Sequence, residues 1–280
     1  MIKIGKIYVE REAGFSRLCS MVQIGTAERK LWFSVPSEQE NALIMDRVDP
    51  FLMALLPVAM REKMDVQSVD PMSERLHFQL RNDLIPMFAQ ERDSYHVVRL
   101  RTPLTTVSFS HENAIMTEFS QDVDSLYTIY RHGKNSEYPL THLAVFNSII
   151  YQGQDTQGRY LDDCLLCEKF AGELGLKTIF VDSNLSEGLP EKQVDDATFQ
   201  RLSHALAIQG LVSVFLLSSK YPFEQFSIDA HQETCFDPLL VTSASTESLQ
   251  TYLSGAETDL QNKQEVISRW EKALCLSTSR

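Results

Sequence analysis

Glycine, cysteine and long apolar runs are all scarce in this sequence, and each shortage excludes a class of protein. Only 11 of the 280 residues are glycine. Neither a Gly-x-Gly-x-x-Gly nor a Walker pattern occurs, and no serine has the flanking glycines of a nucleophile elbow. Rossmann dehydrogenases and hydrolases with a catalytic triad therefore lose support. The longest apolar runs, such as residues 211–217, are far too short to cross a bilayer.

The few thiols and the chain start point to a reduced compartment. The N-terminus lacks a secretory pattern, so we expect a cytoplasmic protein with no membrane partner. The five cysteines are odd in number and scattered, which suits free thiols better than a disulfide framework. Cys164 and Cys167 have a redox or metal-binding spacing, but they fall mid-helix on an apolar stripe, and we expect them to be buried.

Positive charge is also in deficit. The chain has 26 Lys and Arg against 38 Asp and Glu, a formal net charge of −12, and its basic residues are not gathered in one region. Such a chain repels a nucleic-acid backbone, so no nucleic-acid partner is expected. The 7 histidines include no pair at metal-ligand spacing, and we predict no metal-binding residue.

The chain divides into two parts that differ in their pattern of predicted strands and helices. Residues 1–104 combine short strands with helices and predict a smaller N-terminal α+β domain. We expect its strands to form an antiparallel sheet. The predicted strands cover residues 2–10, 17–24, 30–35 and 96–100, and the predicted helices start at Asp49 and near Ser73, with interruptions at Pro57 and around Pro86.

Residues 105–280 alternate between strands and helices, which predicts an α/β domain with a parallel sheet covered on both faces. The helices over residues 159–174 and 197–208 are well marked, because each ends at a glycine. The stretch 243–248 reads as a loose loop. The predicted strands are residues 114–119, 141–150, 177–182 and 212–218.

Small polar residues follow each of these four strands. In open α/β sheets, ligands bind beyond the carboxyl ends of the strands, where the strand order reverses. The same residue types also cap helices and form turns, but four strands out of four favour a site. The residues concerned are Ser120, Asp124 and Ser125 after the first strand, Asn147 on the second, Asp182 and Asn184 after the third, and Ser218 and Ser219 after the fourth.

The first of these turns leads into an amphipathic helix that carries Val123, Leu126 and Tyr130 at helical spacing. Ser120 or Asp122 can cap its first amides. An open helix N-terminus offers unpaired N–H groups and a partial positive charge to an anion. The turn therefore predicts a phosphate-binding position.

Residues 119–128, Phe-Ser-Gln-Asp-Val-Asp-Ser-Leu-Tyr-Thr, resemble the PP-loop of ATP pyrophosphatases and other adenine nucleotide alpha-hydrolase-like (HUP) proteins, whose pattern is Ser-Gly-Gly-x-Asp-Ser. The segments 141–147 and 175–184, the Ser218-Ser219 pair and Asp237-Pro238 extend this resemblance over roughly residues 105–275. The chain is also distantly similar to 7-cyano-7-deazaguanine synthase-like proteins, although it lacks their late cysteine cluster for zinc.

The resemblance implies a Rossmann-like five-stranded parallel sheet that binds ATP and Mg²⁺. Relatives of this kind adenylate a carbonyl, carboxylate or amide oxygen and release pyrophosphate. By position, Asp124 and Ser125 would be catalytic, and Asp182, Asn184, Ser218 and Ser219 would line the substrate side. The cofactor would contact Ser120, Gln121, Asp122, Val123 and Asn147.

Gln121 and Asp122 replace the two glycines of the pattern. Glycine lets backbone N–H groups approach a phosphate closely, and Asp122 adds a charge that repels it by roughly 4 kcal/mol at about 4 Å and an effective dielectric near 20. Our leading hypothesis is a degenerate PP-loop protein that binds a nucleotide-like ligand or a partner subunit of the same pathway, with pyrophosphatase activity weakened or lost. The chain is also compatible with a homodimer.

Two other hypotheses stay open. One is an active ATP-dependent adenylating enzyme of the amide-forming, amidating or thiolating kind, whose loop shifts to accommodate Gln121 and Asp122. The other is an interaction module with a closed crevice. Lys263, Arg269 and Lys272 in the last helix are interpreted as ordinary partners of the helix dipole rather than phosphate ligands.

Overall fold

The computed structural model describes residues 1–109, 113–148, 156–189, 196–228 and 235–273. These residues form an α/β structure around a mixed sheet of eleven strands. Along the sheet the strands follow one another in the order 250–254, 212–218, 114–118, 142–146, 177–183, 27–36, 15–24, 2–4, 66–68 and 100–101, and residues 8–12 pair with 15–24. The first strands of the chain are β1 (Ile2–Ile4), β2 (Tyr8–Glu12), β3 (Phe15–Ile24), β4 (Ala27–Pro36), β5 (Val66–Ser68), β6 (Met72–Ser73), β7 (Leu100–Arg101) and β8 (Leu104–Thr105). Of these, β6 and β8 pair with each other in a separate two-stranded sheet.

The predicted antiparallel strands are present, with shifted boundaries. β2, β3 and β4 pair antiparallel, and the turns between them contain Gly14 and Gly25 at positive φ. The predicted strand over residues 2–10 is two strands, because the chain leaves the sheet between Ile4 and Tyr8. The strand predicted at residues 96–100 was mostly wrong, since only Leu100–Arg101 pairs with β5.

The helices of this part are α1 (Asp49–Arg61), α2 (Glu74–Gln79) and α3 (Ile85–Glu91). Pro57 does not shorten α1, which continues to Arg61. Ser73 caps α2 by accepting a hydrogen bond from the Leu76 amide at 3.0 Å, as expected from the sequence. Between α2 and α3 the helix widens to a π-helical segment, Leu80–Leu84, so that Pro86 causes no break.

The second part contains five parallel strands that are contiguous in the sheet, in the order β13-β12-β9-β10-β11. Its strands are β9 (Ala114–Glu118), β10 (His142–Phe146), β11 (Lys177–Ser183), β12 (Val212–Ser218) and β13 (Gln250–Ser254). Its helices are α4 (Val123–Arg131), α5 (Thr156–Leu174), α6 (Leu185–Gly188), α7 (Ala197–Ala207), α8 (Asp237–Thr242) and α9 (Leu260–Ser268).

Both faces of these strands are covered, as predicted. Along β10 the side chains alternate: Ala144 and Phe146 join the core shared with α1 and α7, whereas Leu143 and Val145 join a second core formed with α4, α5 and α9. The strand predicted for residues 141–150 ends at Phe146, and positions 149 and 150 lie outside the described residues.

The sequence missed β13. The stretch 243–248 was expected to be loose, but Ser243, Ser245, Thr246 and Ser248 are buried. Their hydroxyls hold the turn that leads into β13: Thr246 accepts from the Leu249 amide at 2.9 Å, and Ser245 accepts from the Thr251 amide at 3.1 Å. Serines that satisfy a buried turn look the same in sequence as serines in a solvated loop.

The two parts of the chain share one sheet, because β11 pairs antiparallel with β4 through Asp182 opposite Ser34 and Ser183 opposite Phe33. One buried apolar cluster also runs from the first strands to β12. The division into domains near residue 104 remains a prediction. None of the described helices combines the length and apolar character needed to cross a membrane.

Candidate functional site

The turn between β9 and α4 is closed by its own side chains. Asp122 is the N-cap of α4, and its carboxylate accepts a hydrogen bond from the Ser125 amide at 2.8 Å. The Ser125 hydroxyl accepts from the Ser120 amide at 3.0 Å and donates to the Glu118 carbonyl at 3.1 Å. Of the two caps considered from sequence, Asp122 is therefore the one used.

Asp124 faces a buried lysine. The Lys263 ammonium lies 2.7 Å from a carboxylate oxygen of Asp124 and also donates to the Ser219 carbonyl. Burial raises the pKa of Asp124, and Lys263 opposes that rise. The interpretation of Lys263 as an ordinary helix-dipole partner was wrong: the side chain points into the protein from α9 and ties that helix to the turn after β9 and the end of β12.

A cleft with a cavity volume of about 340 Å³ opens beside this turn. In the sheet, β9 lies between β10 and β12. The chain passes from β9 to β10 and β11 on one side and then crosses to β12 on the other side, so the strand order reverses between β9 and β12. Ligands of open α/β sheets bind at such a reversal. The cleft lies there, since it is lined by Glu118 and Ser120 from the end of β9 and by Leu217 and Ser218 from the end of β12.

Four carboxylates and two basic side chains line the cleft: Glu118, Asp122, Asp124, Asp237, Arg201 and Lys220. Arg201 on α7 lies 3.0 Å from the Glu118 carboxylate. Burial raises the pKa of Glu118, and Arg201 opposes the rise. Glu118 and Asp124 are thus paired with Arg201 and Lys263, whereas Asp122 has no ion-pair partner among the described residues, and its charge disfavours a phosphate at this turn.

Asp237 is the most deeply buried of these acids, with 1% of its surface exposed. Burial raises its pKa to about 7, against the opposing effects of the Thr198 hydroxyl and the Arg201 charge. Its Oδ1 atom has no hydrogen-bond partner in the described part of the chain. A buried carboxylate oxygen without a donor is costly, so a ligand that supplied one would be stabilised there.

The predicted site residues separate into two groups. Ser120, Asp122, Asp124, Ser125 and Ser218 line the cleft. Ser219 follows Ser218 but is buried, and its hydroxyl donates to the Tyr221 carbonyl at 2.6 Å.

Gln121 and Val123 lie outside the lining of this cleft. Gln121 donates to the Asp163 carboxylate on α5 at 3.2 Å, and Val123 packs against the second core. Both side chains hold the turn in place.

Asn147, Asp182 and Asn184 lie at the junction of β10, β11 and β4 instead of in the cleft lining. Asn147 donates to the Asp182 carboxylate at 2.6 Å. The Asn184 side chain accepts from the Trp32 amide at 2.8 Å and donates to the Lys30 carbonyl at 2.7 Å. These bonds join the two parts of the sheet and leave the Asn184 amide committed to structure.

Sequence reasoning missed Glu118, Arg201 and Asp237 as members of this site. Glu118 is the only charged residue of β9, and a lone charge in a buried strand was a usable signal. Asp237 and Pro238 contribute to the sequence resemblance, but the pattern assigns Asp237 no role in the site. Arg201 lies within an ordinary amphipathic helix, and nothing in its neighbours marks it.

The turn does not fit a Mg²⁺–ATP complex. The Asp122 carboxylate already accepts from the Ser125 amide, which a phosphate would need, and it would face that phosphate with like charge. Asp124 is paired with Lys263. Among the described residues, no three His, Cys, Asp or Glu side chains are arranged to hold a metal ion.

The cysteine pair is explained by packing. Cys164 and Cys167 are buried on α5, as expected from their apolar stripe. Burial raises the pKa of Cys164 to about 12 and also raises that of Cys167, so both remain uncharged thiols at neutral pH.

Comparison of this chain with protein-family models, with curated proteins and with solved structures found no match. The geometry of the cleft is therefore the basis for assigning a function.

Proposed function

We propose that this protein is a degenerate PP-loop protein that binds a nucleotide-like ligand in the cleft between β9 and β12 and does not turn over ATP. The Rossmann-like assignment of residues 105–280 belongs to this proposal. The order of the five parallel strands and the position of the cleft at the strand-order reversal support it. The Ser120–Ser125 turn supports it as well, because it joins the first of these strands to a helix N-terminus.

The main support for a protein that does not turn over ATP is one contact: the Asp122 carboxylate accepts a hydrogen bond from the Ser125 amide at the start of α4. A carboxylate in this position takes the place of the anion that a helix N-terminus attracts. A phosphate brought to the same turn would meet this charge, because Asp124 and Glu118 are paired with Lys263 and Arg201 but Asp122 has no basic partner among the described residues. We therefore expect the nucleoside part of the ligand to supply the contacts.

The remaining polar groups of the cleft suit such a ligand. The unpartnered oxygen of Asp237 accepts a hydrogen bond, and the buried Ser218 hydroxyl, which also has no partner in the described residues, can donate or accept. Hydroxyl and amino groups of a nucleoside supply matching partners. The cavity of about 340 Å³ lies within the range of small-molecule sites.

Calorimetric titration with adenosine, AMP and Mg²⁺–ATP, together with an assay for released pyrophosphate, tests this function. We expect adenosine to bind more tightly than AMP, AMP more tightly than ATP, and no pyrophosphate to appear. Asp237→Asn should weaken adenosine binding, whereas Asp162→Asn on the exposed face of α5 serves as the matched control. Pyrophosphate release that depends on Asp124 would favour the active adenylating enzyme instead.

The cytoplasmic location and the partner of the same pathway are parts of this proposal that depend on the sequence arguments. If none of the three adenine compounds binds, the nucleotide-like ligand is wrong and a partner subunit becomes the better explanation of the cleft.

A further inference from the structure

A second concave surface lies far along the sheet from the cleft, beside the edge strand β7. Its cavity volume is about 510 Å³. One wall is formed by His77, Arg81 and Ile85 from the continuous helical run of α2, the π-helical segment and α3. The opposite wall is residues 97–101, which include Arg99 and Arg101. We call this surface the arginine groove.

The arginine groove gathers positive charge in a chain whose net charge is −12. Arg101 is paired with Asp65 at 3.0 Å. The guanidinium groups of Arg81 and Arg99 are exposed and make no hydrogen bond or ion pair with the residues that the structure describes. Asp65 on the edge of the groove also interacts with the Arg99 charge, and Glu74 lies near His77, so three arginines meet two carboxylates here. The resulting excess of positive charge in one concavity favours an anion.

The groove also has an apolar part. Ile85 and Val98 are buried in its floor, while Val97 is 69% exposed at its rim. An exposed valine beside two arginines favours a ligand that combines an apolar body with an anionic group. An inorganic ion would leave the apolar side chain of Val97 exposed to water, whereas an organic anion could cover it.

Arg81 lies inside the π-helical segment, Leu80–Leu84. A widened turn of this kind is rare and occurs frequently at functional sites. Here it accommodates Pro86, and it also sets the direction in which Arg81 leaves the helix. The widened turn and the convergence of the arginines are independent observations, and both point to the same groove.

We propose that the arginine groove binds a small organic anion, in which phosphate or paired carboxylate oxygens contact Arg81 and Arg99 and an apolar group covers Val97. The occupant is a small molecule because the surface is a confined concavity of about 510 Å³ with arginines on both of its walls. An acidic peptide would need charges spread along a strip.

His77 provides a local readout. Burial lowers its pKa and the nearby charge of Arg81 lowers it further, whereas the Leu100 backbone and the Glu74 charge oppose these effects. An anion bound to Arg81 offsets this positive charge, so the pKa of His77 rises on binding. A ligand that only covered the His77 ring, without a negative charge near Arg81, would not raise the pKa of His77.

The test is an NMR titration of the His77 ring, assigned with His77→Gln, using phenyl phosphate, phenylsuccinate, inorganic phosphate and benzyl alcohol as probes. We expect saturable binding of phenyl phosphate or phenylsuccinate, weaker binding of inorganic phosphate and none of benzyl alcohol. Which of the two anions binds more tightly distinguishes phosphate from carboxylate recognition. Arg81→Gln combined with Arg99→Gln should weaken the better anion by about tenfold for each arginine removed.

The matched control is Lys6→Gln combined with Arg269→Gln, which removes the same charge from exposed positions elsewhere and should leave binding unchanged. The proposal is overturned if no anion shifts His77 saturably, or if both double variants bind like the native protein. Tighter binding of a glutamate-rich peptide than of either organic anion would also overturn it in favour of a protein partner. Apart from the half-buried His77, all substituted side chains are exposed, and an unchanged far-UV spectrum confirms that each variant folds.

Discussion

At the scale of single residues, Asp122 determines what the turn after β9 can bind. Its carboxylate stabilises α4 as an N-cap and, by the same contact, places negative charge at the helix N-terminus. The two effects can be separated, because asparagine caps a helix nearly as well as aspartate but carries no charge.

Asp122→Asn should therefore leave the free energy of unfolding almost unchanged and raise the affinity for AMP relative to adenosine by about tenfold or more, since a like-charge repulsion of up to roughly 4 kcal/mol is removed. Asp122→Ala should lose about 1 kcal/mol of stability with the cap. Urea denaturation and calorimetric titration measure the two quantities. An unchanged AMP-to-adenosine ratio in Asp122→Asn would show that Asp122 does not control phosphate binding.

Asp237 makes stability depend on pH. Its pKa is raised from 3.8 to about 7 by burial, so the folded state holds a proton that the unfolded chain has lost. The contribution of this group to the free energy of unfolding is fully present below pH 4 and is lost as the pH rises to about 7. A shift of this size corresponds to on the order of 4 kcal/mol.

Asp237→Asn should match the native protein below pH 4 and exceed it in stability by most of that amount at pH 8. The measurement is urea denaturation across this pH range, with Asp162→Asn as a control that should follow the native curve. A difference between Asp237→Asn and the native protein that does not change with pH would contradict the assignment.

At the scale of elements, the junction of β4 with β11 joins the antiparallel strands to the parallel ones. Only two residue pairs form the ladder there, and side chains supplement it. His204 on α7 bonds to the Ser183 hydroxyl at 3.0 Å and stacks on Phe146. Burial lowers the pKa of His204 to about 4, so it stays neutral near pH 7 and packs as an aromatic residue.

Asn184→Ala should weaken this junction, because the Trp32 amide and the Lys30 carbonyl both lose their side-chain partner. We expect a loss of about 1–3 kcal/mol in the free energy of unfolding. Asn135→Ala at an exposed turn should change it by less than about 0.5 kcal/mol. Equal effects of the two substitutions would mean that the junction does not depend on Asn184.

Several elements could be predicted from sequence for clear physical reasons. The caps at Ser73 and Asp122, the glycine turns at Gly14 and Gly25, and the helix ending before Gly175 each depend on local chemistry. β13 could not be predicted, because its turn is held by buried serine and threonine hydroxyls whose burial is set by the rest of the fold. The role of Asn184 was equally hidden, since its partners on β4 lie more than 150 positions away.

At the scale of the whole molecule, one sheet and one large core extend through both sequence halves. The cleft contains residues that only the complete fold brings together. Ser120, Asp124 and Ser218 were predicted from strand ends, but Arg201 and Asp237 reach the same cleft from helices that only the folded chain brings there. Sequence patterns identify strand ends, whereas helix contributions depend on packing.

Because the sheet is continuous, we expect the two halves to unfold together. The chain has two tryptophans, Trp32 on β4 and Trp270 beside α9, so single-tryptophan variants report on the two halves separately. The fluorescence midpoints of Trp32→Phe and Trp270→Phe in urea, each compared with the far-UV midpoint of the same variant, should coincide. A tryptophan midpoint that departs from its own far-UV midpoint would indicate independently folding domains.

The most direct test of the proposed ligand cleft is to map adenosine binding onto backbone amide resonances of the deuterated protein. We expect saturable shifts at residues 118–125 and 218–220, with much smaller shifts when Mg²⁺–ATP replaces adenosine. Shifts confined to other surfaces, or larger shifts of residues 120–125 with Mg²⁺–ATP, would contradict the proposal.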